Sequence, residues 1–105
     1  MDQRNALNIA IKYAIAVRMK YDFAKIVLFG SYVKGNYNED RDIDIAVVLK
    51  DYNNLIEIQL DLMRLRRNSD SRIEPHPFRE KDFVVTNPIV NEIFKYGQDI
   101  KNAMV

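Results

Sequence analysis

The chain has 105 residues, 16 Lys/Arg against 15 Asp/Glu, and a formal net charge of +1. That length predicts one domain, 1–105, with room for a single core, and the near balance of charge excludes the broad basic field of a nucleic-acid binder. The absence of cysteine rules out disulfides and cysteine-based metal sites and is compatible with a reducing compartment.

Residues 3–20 predict a helix. Leu7, Ala10, Ile11, Ala14, Ile15 and Val17 recur near a period of 3.6, and Asp2 is a candidate cap. Ala24 to Phe29 is an apolar run that stops at Gly30, the pattern of a buried strand ending in a turn. Ser31 is read as opening a short helical turn over Tyr32 to Lys34, ended by Gly35. In Asp42 to Leu49, Ile43, Ile45 and Val47 alternate with Asp42, Asp44 and Ala46 before Val48 and Leu49. This is the second strand.

Asn53 to Asn68 carries two periods at once. Ile56, Ile58, Leu60 and Leu62 alternate as in a strand, while Leu55, Ile58, Leu62 and Leu65 fit a helix. Length, good helix formers and a cap candidate at Asn53 decide for a helix. Its broad apolar side, residues 55–65, is read as core, with part of it available to a partner. Arg72 to Phe78 is the third strand, and the prolines flanking His76 put its end at a sheet edge or outside the sheet. Glu80 to Val84 predicts one helical turn. Asn87-Pro88 starts a closing helix that Gly97 ends. The order gives an α+β (mixed α/β) fold, a small sheet with helices mainly on one face. No apolar run reaches membrane-spanning length and the N-terminus has no cleavable-signal pattern, so the expected location is cytoplasmic.

Two stretches carry chemistry. Asp42 and Asp44 lie two apart in a strand, so they project from the same side. Carboxylates that close repel unless a cation sits between them, and Mg²⁺ takes such oxygen ligands together with substrate phosphates. Gly30-Ser31, at the end of a strand, offers backbone N–H groups and a hydroxyl suited to phosphate oxygens. Lys34, in the same turn, and Arg41, beside the aspartates, are candidate phosphate contacts, though as single side chains they also fit a solvated surface. Glu74, on the third strand, is the candidate third carboxylate, able to align or deprotonate a nucleophile. A plain ion pair with Arg72 or a lysine is the competing reading for Glu74.

Gly30-Ser31, ten residues, then Asp42-Ile43-Asp44 resembles the signature of the minimal nucleotidyltransferases, relatives of the DNA polymerase β palm. Gly35, the strand after the aspartates, Arg72-Ile73-Glu74-Pro75-His76-Pro77-Phe78 and the closing helix resemble the family as well, over roughly residues 5–100. Arg41 stands where the family usually has Ser, and the third acid is Glu where many minimal members have Asp. The resemblance implies a polymerase β-like palm, ATP as substrate and two Mg²⁺ ions. Gly30 and Ser31 would then hold the triphosphate. Asp42 and Asp44 would bind metal, and Glu74 would complete that site and assist the attacking hydroxyl.

Minimal members are often antitoxins encoded beside a HEPN-domain toxin. The resemblance therefore implies AMP transfer to a tyrosine of such a partner. Two rivals stay open: a binding module that neutralises its partner by occlusion, and a subunit of a small-molecule (aminoglycoside-type) nucleotidyltransferase. Self-association also stays open, while membrane and nucleic acid are not expected partners. His76, the single histidine, forms with Arg72 an echo of the HEPN ribonuclease motif. Two prolines exclude a regular helix there, and His76 is read as a structural or rim residue.

Overall fold

The computed structural model describes residues 3–30 and 42–101. Helix α1 (Gln3–Arg18) is followed by strands β1 (Lys25–Phe29) and β2 (Ile43–Leu49), helix α2 (Leu55–Arg64), strand β3 (Ile73–Arg79), a 3-10 turn (Glu80–Asp82), helix α3 (Pro88–Tyr96) and the short strand β4 (Gln98–Asp99). The four strands form one mixed sheet in the order β3-β2-β1-β4. β1 runs antiparallel to β2 and β4, and β2 runs parallel to β3. This is the expected α+β class. The helical turn expected at Ser31 to Lys34, Gly35 and the Asp2 cap lie outside the described residues.

Alternation along the strands divides the sheet into two faces. Ile26, Leu28, Ile43, Ile45, Val47 and Ile73 pack with α1 and α2. Val27, Phe29 and Ala46 pack with Ile93 of α3, against Phe78 and Phe83. The first cluster is much the larger, so the sheet is covered mainly on one side, as the sequence implies.

The buried stripe of α1 differs from the predicted one. Ala6, Ala10, Tyr13, Ala14 and Val17 are fully buried, whereas Ile15 is 48% exposed. Three alanines let the helix axis lie close to the sheet. Tyr13 belongs to the core because its hydroxyl donates to the Leu62 carbonyl at 2.6 Å, so its polar tip is satisfied.

Helix α2 begins one residue later than expected. Asn54, not Asn53, is the cap, its side chain accepting from the Glu57 N–H at 3.1 Å. Of its wide apolar side only Ile58 and Leu62 are buried. Leu55, Ile56 and Leu60 are exposed. A helix crossing a small sheet presents only one stripe to it.

The start of α3 is as read: Asn87 caps it by accepting from the Ile89 N–H at 3.0 Å, and Pro88 takes the first turn. Gly97 ends it for a different reason than a left-handed cap, since its φ is −69°. A Cβ there would sit 2.5 Å from the Ile93 carbonyl oxygen and 2.6 Å from Val27 Cγ1. The close approach lets β4 pair with Val27 and Leu28 and carries Ile100 into the core. β4 is absent from the sequence reading because two residues show no period.

Strand β3 is the sheet edge, which explains its prolines. Ile43 N–H donates to the Arg72 carbonyl at 2.9 Å. By the alternation of a parallel ladder, Glu74, His76 and Phe78 direct their N–H groups to β2, and residues 73, 75 and 77 face outward. Pro75 and Pro77 therefore forfeit no ladder bond. The outward carbonyls are taken by side chains: Arg66 donates to Ile73 O at 2.9 Å, Gln59 to Pro75 O at 2.8 Å and Tyr52 to Pro77 O at 3.5 Å. The edge presents little for another strand to pair with.

Candidate functional site

The strand directions bring three chain segments to one end of the sheet. β1 ends where β2 begins because the two are antiparallel. β3 begins there too because it is parallel to β2. Gly30, Asp42 with Asp44, and Glu74 with His76 therefore meet, although they are spread over 47 positions of sequence.

Asp44 is the second residue of β2 and is in register with Phe29 on one side and Glu74 on the other. Cross-strand partners point to the same face, which here is the side of Ala46 and Phe29, covered by α3. Two residues along β3, His76 is in register with Ala46, whose small side chain leaves room for the imidazole. His76 Nε2 lies 3.0 Å from Asp44 Oδ1, and its ring meets the Phe29 ring edge-on at 5.1 Å between centroids. Asp44 and His76 both keep part of their side chains open, 24% and 31% exposed.

Asp42, just before the strand, is exposed and hydrogen bonds to Glu74. That hydrogen bond is the main reason the Glu74 carboxyl titrates above the ordinary carboxylate range. Partial burial and the charges of Asp42 and Asp44 push the same way, and His76 opposes them. The two predicted metal acids thus have different settings. Asp44 is anchored in the sheet between β1 and β3, and Asp42 reaches in from its end.

Ligand atoms of Asp44, Glu74 and His76 all lie within 4.8 Å of one another. Carboxylate oxygens with one imidazole nitrogen, gathered at a partly open sheet end, form a donor set suited to a divalent cation. The acids suit Mg²⁺ by their chemistry. Asp42 stands outside this tightest group.

Gly30 has φ +82°, a left-handed conformation that glycine accepts without strain. A Cβ built on it would collide with the Asp44 carboxylate, with Asp44 Cγ at 3.2 Å and Cβ at 3.3 Å. The space that glycine opens is thus taken by an acid of this chain. Ser31, Lys34 and Arg41, the other predicted nucleotide contacts, lie outside the described residues. His76, expected from the sequence as a structural or rim residue, stands within the cluster of possible ligands. Its signal was available: Glu74-Pro75-His76 has the same spacing of two as Asp42-Ile43-Asp44, so both pairs fall on one face of adjacent strands.

A mixed sheet with carboxylates converging from two adjacent strands beside a glycine turn is a setting suited to a cation and a phosphate-bearing substrate. The model of the nucleotidyltransferase domain matches residues 12–101. The chain belongs to that family and is a nucleotidyltransferase.

A Methanocaldococcus jannaschii protein, provisionally named protein adenylyltransferase MJ0141, is 27% identical over 92 residues, covering 85% of this chain and 90% of that protein. A crystal structure of a provisionally assigned nucleotidyltransferase from Sulfolobus solfataricus superposes with a TM-score of 0.69 at 20% identity, over 93% of this chain and 81% of that one. A chain in a crystal structure of the toxin–antitoxin MntA–HpeT superposes with a TM-score of 0.61 at 27% identity, over 84% of this chain and 68% of that one.

Proposed function

We propose that this chain transfers AMP from ATP, in the presence of Mg²⁺, to a tyrosine hydroxyl of a HEPN-type toxin and thereby acts as its antitoxin. The observation that carries this reading is the convergence of Asp42, Asp44 and Glu74 at one sheet end beside Gly30. The protein-adenylyltransferase name of one relative and the toxin–antitoxin setting of a structural neighbour supply the kind of acceptor.

In this reading Asp42 and Asp44 hold two Mg²⁺ ions and Glu74 completes their site. The ions supply charge neutralisation to the triphosphate and the departing pyrophosphate. Gly30 and Ser31 present N–H groups and a hydroxyl to phosphate oxygens, with Lys34 and Arg41 as flanking cations. Glu74 takes the proton of the attacking hydroxyl. The oxygen of that hydroxyl forms a bond to the α-phosphorus as the bond to pyrophosphate breaks.

The test is intact-mass measurement of the chain and a HEPN-type partner incubated with ATP and Mg²⁺. The expected result is one or more AMP additions on the partner, absent with Asp42→Ala combined with Asp44→Ala. A complex that forms without any mass change overturns the reading.

A further inference from the structure

We propose that His76 is a nitrogen ligand of the divalent cation at this site, joining Asp44 and Glu74, and that it biases the site toward Mn²⁺ over Mg²⁺. The inference rests on the reading that these acids hold a cation, and it adds to them a donor of different chemistry.

Three observations carry it. First, the Nε2–Oδ1 distance of 3.0 Å between His76 and Asp44 matches the edge of an octahedron. Bonds of about 2.1 Å at right angles place neighbouring donors about 3.0 Å apart. The Glu74 carboxylate lies within 4.8 Å of both.

Second, the imidazole is held in place. Phe29 packs edge-on against the ring. The residues on either side are prolines, whose φ is preset, and the carbonyls of both are bound by Gln59 and Tyr52. A donor on so constrained a strand loses little freedom on binding an ion.

Third, the charge setting suits a ligand. His76 shares its corner of the sheet with Asp44, Glu74 and Asp42, so a cation placed among them relieves their mutual repulsion. Mg²⁺ prefers an all-oxygen shell, whereas first-row divalent metals accept imidazole readily.

The rival is a hydrogen bond that only orients Asp44, as outer partners of metal ligands do. Pulsed electron paramagnetic resonance of the full chain loaded with Mn²⁺ separates the two. His76 is the one histidine in the sequence, so in an untagged protein any directly bound histidine nitrogen is this one. The expected result is a ¹⁴N coupling that changes to the ¹⁵N pattern when the protein is made with ¹⁵N-histidine, and that disappears in His76→Gln and His76→Ala.

Mn²⁺ affinity should fall about tenfold or more in both variants, with Mg²⁺ affinity changed by less than about threefold. Mn²⁺ bound with no histidine coupling overturns the proposal and leaves the acidic cation site standing. Failure of the wild-type chain to bind Mn²⁺ at all overturns both. The labelled wild-type protein gives an answer even if a variant does not fold.

Discussion

Asp44 lays its carboxylate over the bare Cα of Gly30, so closely that any Cβ at residue 30 would occupy the same space. The contact joins the end of β1 to the start of β2 and sets where the anchored acid of the site stands. Gly30 is thereby required twice, for its φ of +82° and for the room it leaves.

Gly30→Ala should therefore lose function out of proportion to stability. The left-handed backbone costs about 1–2 kcal/mol for an alanine, which urea denaturation will read. Displacing Asp44 by the width of a methyl group should lower AMP transfer about a hundredfold, as misplacements near 1 Å do. Transfer within about threefold of wild type in a folded Gly30→Ala protein would show that the Asp44 position is not critical.

The bond between Tyr13 and the Leu62 carbonyl ties α1 to α2 inside the core. Burial holds the Tyr13 hydroxyl firmly protonated, far above the ordinary tyrosine value. Tyr13→Phe keeps the ring and removes the donor, leaving a buried carbonyl unpaired. A loss of about 1–2 kcal/mol is expected, measured by urea midpoint, with AMP transfer per folded molecule unchanged.

Acid should destabilise the chain through two carboxylates. Hydrogen bonds from Lys20 and Tyr21 hold Asp61 below the ordinary carboxylate range, and hydrogen bonds from Arg72 do the same for Asp70. Because the folded values are depressed, this stability is present above the unfolded carboxylate value of about 3.9 and is lost as pH falls through the folded values. Asp61→Asn should be less stable at pH 7 and lose less on acidification to pH 2, by urea midpoints at each pH.

Tyr21 gives the opposite branch. Burial, with the hydrogen bond to Asp61, pushes its hydroxyl up to about 12. Its contribution is present below pH 10 and lost between pH 10 and 12, so Tyr21→Phe should flatten the alkaline side of the same profile.

The edge of β3 should reveal what its prolines do. Pro75→Val with Pro77→Val adds two outward N–H donors to a strand whose inward ladder is untouched. The fold should persist, and sedimentation should show association that grows with concentration. Gln59→Met, which strips the donor from Pro75 O, should cost about 1 kcal/mol.

Local chemistry made much of this protein legible in the chain. β1 is apolar after Lys25 and β2 is apolar apart from Asp44, and Asn87-Pro88 is a helix start that depends only on neighbouring residues. Asp42-Ile43-Asp44 lies within one strand start, so its shared projection needed no tertiary knowledge. Features that depend on what lies across the sheet were not legible. The buried stripe of α1 turned on a partner for Tyr13 from 49 residues away. β4 exists because Gly97 allows the chain to approach Val27, and Gly30 makes room for a carboxylate in the next strand.

His76 marks the boundary between the two. By itself the sequence determined that Glu74 and His76 share a face, since the period of a strand is two. Only the tertiary structure decided which face, and that the parallel register of β3 on β2 sets Glu74 against Asp44 and His76 against Ala46. A shift of one residue in that pairing would turn both side chains to the opposite face. Periodicity is local, whereas register is settled by packing of Ile43, Ile45 and Ile73 into one core.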